Sequence, residues 1–221
     1  MAREVFRENI KTLEQELIST GDMVSKAINR SVKALKESDV EEAKKIIADD
    51  RLINKKRWGI EEKCIRLFAT QQPVATDLRE LIAVLNIITD LERMGDNAEG
   101  IAKIVLMHEG RPLVKPLVNI PKMAEKAIDM LKRSLEAFVI RDDKMARIIC
   151  NEDDEVDLVY ENIYRSLLSI MIEDPTTITR ATYLIWAAHN LERIADRVTN
   201  ICERIVYLVT GKMEEINVSN Y

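Results

Sequence analysis

The chain is poor in residues that break helices and in residues that favour strands. Only six glycines and five prolines interrupt 221 residues, and aromatics make up 5%. Leu, Ile, Ala, Glu, Lys and Arg are abundant instead, a composition that favours helix over sheet. Cysteine is also scarce. Cys64, Cys150 and Cys202 are odd in number, far apart and form no CxxC pair. That excludes a disulfide framework and reads as small apolar residues in a reducing compartment. Acids and bases are interspersed, the net charge is −5 and no basic block occurs, so a nucleic-acid partner is not expected. No apolar run approaches a membrane span. The start, Met1-Ala2-Arg3-Glu4-Val5-Phe6, lacks an apolar signal core, so a cytosolic protein is expected. There is no Ser/His/Asp or Cys/His grouping, no phosphate-cradling glycine loop and no HExxH, which removes the usual constellations of catalysis.

What is present is helical periodicity. With 47% hydrophobic residues the chain is able to bury a core, as one large domain or as two of about 100 residues each. Apolar spacing draws six helical stretches. The first runs from Arg3 to Lys36, with Gly21 as a weak point. Ser38-Asp39-Val40-Glu41-Glu42 reads as a capping box opening the second, which continues to Thr70 and is ended by Gln71-Gln72-Pro73. The third spans Val74 to His108. Glu109 to Leu117 is rich in breakers and separates the halves. Pro121 suits the first turn of the fourth helix, which runs to Ile140. Asp142 or Asp143 caps the fifth, ending near Asp174-Pro175, and the sixth spans Thr177 to Val209.

The halves echo each other. Leu91-Glu92-Arg93-Met94-Gly95-Asp96 returns as Leu191-Glu192-Arg193-Ile194-Ala195-Asp196, and Gln72-Pro73 matches Asp174-Pro175. A repeat of about 100 residues is a domain duplication, not a solenoid. The expected architecture is therefore all-α: two tandem three-helix bundles, 1–110 and 121–221, joined by a linker at 111–120.

In each echo a Glu and an Asp stand four residues apart, so both carboxylates share one helix face. The second helix of each half adds Asp50 with Asn54, and Asp153 with Asp157. Two readings are open. Acids beside arginines are usually solvated ion pairs of about 0–1 kcal/mol. Alternatively, two such pairs on helices about 8–10 Å apart can surround one or more cations. Oxygen ligands favour Mg²⁺, Ca²⁺, Mn²⁺ or iron, with zinc as a possible guest. The Glu-x-x-His pair of di-iron oxidase bundles is absent, since His189-Asn190-Leu191-Glu192 runs in the reverse order. The bundle core takes one stripe of the third and sixth helices. Leu78, Leu81, Leu85 and Ile88, and likewise Ala181, Ile185 and Ala188, lie on the acidic line, so each helix is apolar nearly all round in its first half. Such a helix needs a second covering surface. The first helix of its own half, a subunit contact, a protein partner or a membrane surface can supply it.

Of the remaining residues, Trp58 and Trp186 read as core or interface aromatics. His108 reads as a partly charged helix-end residue. Arg93 and Arg193 read as neutralising the acids, and Arg79 and Arg180 as surface ion pairs.

At the doubled phrase, and at Gln71-Gln72-Pro73-Val74-Ala75-Thr76-Asp77-Leu78-Arg79, the sequence resembles the PhoU family of phosphate-uptake regulators. The resemblance covers essentially the whole chain. It implies two three-helix bundles, a cytosolic protein that is often a dimer, and metal clusters, iron in some members. Carried over, one site takes Asp50, Asn54, Glu92 and Asp96, and the other Asp153, Asp157, Glu192 and Asp196. Asn54 departs from the acidic pattern and makes the first site the weaker. The implied role is negative control of phosphate uptake, linking the phosphate ABC transporter's ATPase to a sensor histidine kinase. Against that non-enzymatic role stand a metal-dependent enzyme acting on phosphate compounds and a metal-free helical adaptor for another transporter.

Overall fold

The computed structural model describes residues 2–108 and 111–216, and all its regular structure is helical. In order these are α1 (Ala2–Glu37), α2 (Val40–Gln71), α3 (Thr76–Met107), α4 (Asn119–Ile140), α5 (Asp143–Asn151), α6 (Asp153–Glu173) and α7 (Ile178–Thr210), with a 3₁₀ turn at Pro175–Thr177. Helices α1 to α3 pack as one three-helix bundle, and α4, α5 with α6, and α7 as a second. No helix among the described residues is long and apolar enough to cross a membrane. Of the predicted linker, Glu109 and Gly110 lie outside the described residues. Residues 111–118 are non-helical, and α4 begins two residues ahead of Pro121.

The predicted fifth helix is two helices. The chain breaks at Glu152, because Asp153, Asp154 and Glu155 follow in succession. Acids are favoured at a helix N-terminus and not in a helix interior, so the acidic run starts a new helix. Glu152 is held at the break by Arg133, whose Nη1 donates to Oε1 at 2.9 Å, and by Lys126 at 2.8 Å. At the start of α2, Asp39 caps as expected and accepts from the Glu42 amide at 2.9 Å. The reciprocal half of the capping box does not form, because the Glu42 carboxylate pairs with Arg30.

The second apolar face of α3 and α7 is covered from within the chain. The two helices pack against each other across the halves. Leu81 and Ile88 are fully buried, and Leu85 and Ile185 pack against the core. Asp90 of α3, itself buried, lies 3.5 Å from Arg197 of α7. Buried residues of both bundles thus form one continuous core. Gly21 serves the second inter-bundle seam. A Cβ there would stand 2.2 Å from Leu135 Cδ1 of α4, so its missing side chain is what lets α1 and α4 approach.

Several side chains sit differently from expectation. Trp58 is 65% exposed, because it lies two residues from the buried Ile60 and so about 200 degrees around the helix. Trp186 is 47% exposed and leans on Tyr183 at the surface. His108 is buried edge-on to Tyr183; burial first, then Arg180, pushes its pKa down, so it is held neutral. Arg180 donates to Pro112 O at 3.1 Å and Arg79 lies against Gly211 at the end of α7; among the described residues neither makes the surface ion pair expected. Cys150 and Cys202, distant in sequence, are neighbours between α5 and α7, and Cys150 Sγ donates to Thr199 O at 3.7 Å.

Candidate metal centres

Each acidic cluster is built by two antiparallel helices of one bundle. Helix α2 presents Asp50 and Asn54 one turn apart, and α3 presents Glu92, Asp96 and Glu99 to them. Asp50 is raised from 3.8 to about 6, first by burial and then by the charges of Asp96, Glu99 and Glu92. Asn54 Nδ2 donates to Asp50 Oδ2 at 2.7 Å. The other carboxylate oxygen, Oδ1, is buried and has no hydrogen-bond partner. Gly95 makes room here: a Cβ would stand 3.3 Å from that oxygen and 3.0 Å from Ile53 Cδ1. A cavity of about 170 Å³, lined among others by Met23, Arg30, Asp49, Asp50 and Glu99, adjoins the cluster.

Protein cations partly answer these charges. Arg57 Nη1 donates to Glu92 Oε1 at 2.7 Å while its Nε donates to Glu61, also at 2.7 Å. Lys103 pairs with Glu99 at 2.5 Å. Arg93, the arginine adjacent in sequence, is exposed. Arg57 lies seven residues past Asp50, two turns along, so helical spacing puts both on the same face of α2.

In the second bundle α6 supplies Asp153 and Asp157, and α7 supplies Glu192 and Asp196. Asp153 is 6% exposed and is raised to about 7, first by burial and then by Asp196, Asp157, Glu192 and Asp154. Its Oδ1 is buried without a hydrogen-bond partner, as is that of Asp50. Asp196 is raised to about 6 by burial and Glu192, against the opposing charges of Arg197 and Arg193. Burial and Asp196 raise Asp157 as well. Asp153 opens α6, where the helix dipole favours an anion. Burial and carboxylate crowding outweigh that effect.

The structure therefore gathers the eight residues singled out from the sequence into two groups of four, one per bundle. Among the described residues, no three His, Cys, Asp or Glu side chains stand arranged to hold an ion as they are. The donor sets nonetheless suit a cation. A buried carboxylate oxygen without a partner normally costs about 1–3 kcal/mol, more when charged. Here the same atom of the same residue is orphaned in both halves.

Residues 17–105 and 120–205 match the PhoU domain. The chain belongs to the PhoU family. It is 40% identical over 218 residues to a phosphate-specific transport system accessory protein PhoU homolog of Clostridium acetobutylicum, a match that covers 98% of this chain and all of that one. The fold is that of the phosphate transport system regulatory protein PhoU from Streptococcus pneumoniae, at a TM-score of 0.88 and 33% identity over 95% of this chain and 99% of that one. PhoU from Pseudomonas aeruginosa gives a TM-score of 0.89, again at 33% identity, over 94% of this chain and 100% of that one. These PhoU matches bear out the two-bundle, all-α reading drawn from the repeat.

Proposed function

We propose that this protein is a negative regulator of phosphate uptake, a metal-binding adaptor between the phosphate ABC transporter's ATPase and a sensor histidine kinase. The observation that carries the reading is full-length kinship with proteins named as accessory to the phosphate-specific transport system. The reading is non-enzymatic, in keeping with relatives named as accessory and regulatory proteins. It acts in the cytoplasm as a homodimer and reaches the membrane only through its partners.

Asp153, Asp157, Glu192 and Asp196 would hold one ion or ion cluster, and Asp50, Glu92 and Asp96 with Asn54 another. Iron, Mn²⁺, Mg²⁺ and Ca²⁺ suit these oxygen donors. A bound ion would supply the positive charge that the crowded carboxylates lack. Each pair of helices would then be clamped together by its own acids.

Two measurements test the reading. Elemental analysis compares native protein with a Glu192→Ala, Asp196→Ala double variant. The variant is expected to lose the metal of the second cluster, and equal content in the two samples would sink that assignment. Pull-down in high phosphate is expected to capture the transporter's ATPase and the kinase. Capture of neither counts against the adaptor role, and turnover of phosphoesters by metal-loaded protein would replace it with an enzyme.

A further inference from the structure

The two acidic clusters match in position, yet the side chains that border them differ in kind. Two turns beyond Asp50, α2 places Arg57 on Glu92. Two turns beyond Asp153, α6 places Tyr160, which brings no cation. One turn before Glu92, α3 carries Thr89, whose hydroxyl donates to Leu85 O at 2.8 Å. One turn before Glu192, α7 carries His189, and its Nδ1 lies 3.1 Å from Glu192 Oε2. The Tyr160 ring flanks the imidazole at 6.0 Å.

We infer that the second cluster is a mixed nitrogen–oxygen site for a borderline divalent cation such as Zn²⁺ or Mn²⁺, with His189 as its nitrogen ligand. The inference rests on the ion binding proposed above and concerns how one site differs from the other.

Three observations carry it. His189, Glu192 and Asp196 fall at i, i+3 and i+7, a single stripe of α7 that faces Asp153 and Asp157 of α6. Asp153 is buried in that face with Oδ1 lacking a hydrogen-bond partner, which marks a place for a cation and not only a solvated patch of acids. The Nδ1 to Oε2 distance is the third. Two ligand atoms bound at about 2.0–2.2 Å to one ion, at tetrahedral or octahedral angles, stand about 3.0–3.5 Å apart. The 3.1 Å separation falls within that range, so His189 can shift from pairing with Glu192 to sharing an ion with it. Imidazole moves the preference away from Ca²⁺ and Mg²⁺ and towards borderline ions. The first cluster has only oxygen donors, and Arg57 already occupies part of its charge.

The test uses the full chain with the first cluster disabled by Glu92→Gln and Asp96→Asn. Pulsed EPR of the Mn²⁺-loaded protein is expected to show ¹⁴N modulation from an imidazole. His189→Gln should abolish that modulation and weaken Zn²⁺ binding by about 10–100-fold in calorimetry, while Ca²⁺ affinity stays within about twofold. His189 is half exposed, so the variant is expected to keep its helix content and melting temperature. Mn²⁺ uptake with no ¹⁴N modulation, or Zn²⁺ and Ca²⁺ weakened equally, overturns the role of His189 and leaves ion binding standing. Uptake of none of the three ions overturns the metal reading itself and this inference with it.

Discussion

Arg141, which caps the end of α4, places its guanidinium on Glu80 of α3, joining the two bundles through a carboxylate that is almost completely buried. The same guanidinium donates to Glu14 of α1 at 2.6 Å and lies 4.8 Å over the Phe138 ring. Glu80 also accepts from Arg7 at 3.2 Å. Removing one partner of a buried pair costs about 3–5 kcal/mol. The remaining Arg7 and the partial exposure of Arg141 reduce this, so Arg141→Ala is expected to lose about 2–3 kcal/mol in urea unfolding. Arg141 also holds a left-handed backbone, with φ at 59°. Arg141→Gly relieves that strain and should recover about 1 kcal/mol of the loss. If both variants unfold at the parent's urea midpoint, the network is not what couples the bundles.

The α1–α4 seam predicts a sign change between backgrounds. Gly21→Ala adds a methyl 2.2 Å from Leu135 Cδ1, an overpacking worth about 1–3 kcal/mol, against a helix-propensity gain of about 1 kcal/mol. In the parent the substitution should destabilise. In a Leu135→Ala background the obstruction is gone and the same substitution should stabilise. A double-mutant cycle reads this coupling directly, and equal effects in both backgrounds would refute it.

The carboxylates of the second cluster predict how ion-free stability depends on pH. Asp153 is raised to about 7 from 3.8, so the folded protein binds that proton more tightly than the unfolded chain does. Between about pH 4 and pH 7 the folded state holds a proton that the unfolded state has released, and stability falls as pH rises through this window. Asp196, raised to about 6, adds to the fall. Asp153→Asn removes the largest part. In EDTA at pH 7.5 it should melt about 2–6 °C higher than the parent, with the gap closing near pH 4. Metal binding should carry the opposite trend, tightening up to about pH 7 as protons leave, and calorimetry in two buffers would count those protons.

Arg57 and Asn54 predict how the first cluster can be strengthened. Arg57→Ala removes a cation from Glu92, and Asn54→Asp restores an acid opposite Asp50. Each should tighten Ca²⁺ or Mn²⁺ binding by on the order of tenfold, since affinity at oxygen sites follows ligand charge. Calorimetry with Glu192→Gln and Asp196→Asn isolates the effect. An unchanged first-site affinity in both variants would show that neither residue limits it.

Most helix positions were legible from spacing and caps. Asp39, Asp142 and the Gln71-Gln72-Pro73 stop all operate within one or two turns, where local sequence governs. The four residues of each acidic cluster were legible for the same reason, because i and i+4 share a face whatever the fold. The break at Glu152 was missed since helical periodicity runs through it. The acidic run that forces it also carries the i, i+4 spacing of Asp153 and Asp157, which from sequence alone reads as ligand spacing. Arg57 was missed as the partner of Glu92 because the adjacent Arg93 looked sufficient, and only the packing of α2 against α3 shows which arginine reaches the acid.

By itself the sequence determined an all-α, duplicated chain and the faces on which its acids fall, since both follow from a 3.6-residue period and a repeated phrase. It left the second apolar face of α3 and α7 without an occupant. Only the tertiary structure decided that residues of that face are buried within the chain and that α3 and α7 pack against each other across the halves, because that packing depends on contacts between residues about a hundred apart. Contacts between residues far apart in sequence also set Cys150 beside Cys202 and Arg141 beside Glu14. The tertiary structure also decided which side chains border each cluster. Arg57 and Tyr160 gain that role only once their helices bring them beside Glu92 and His189.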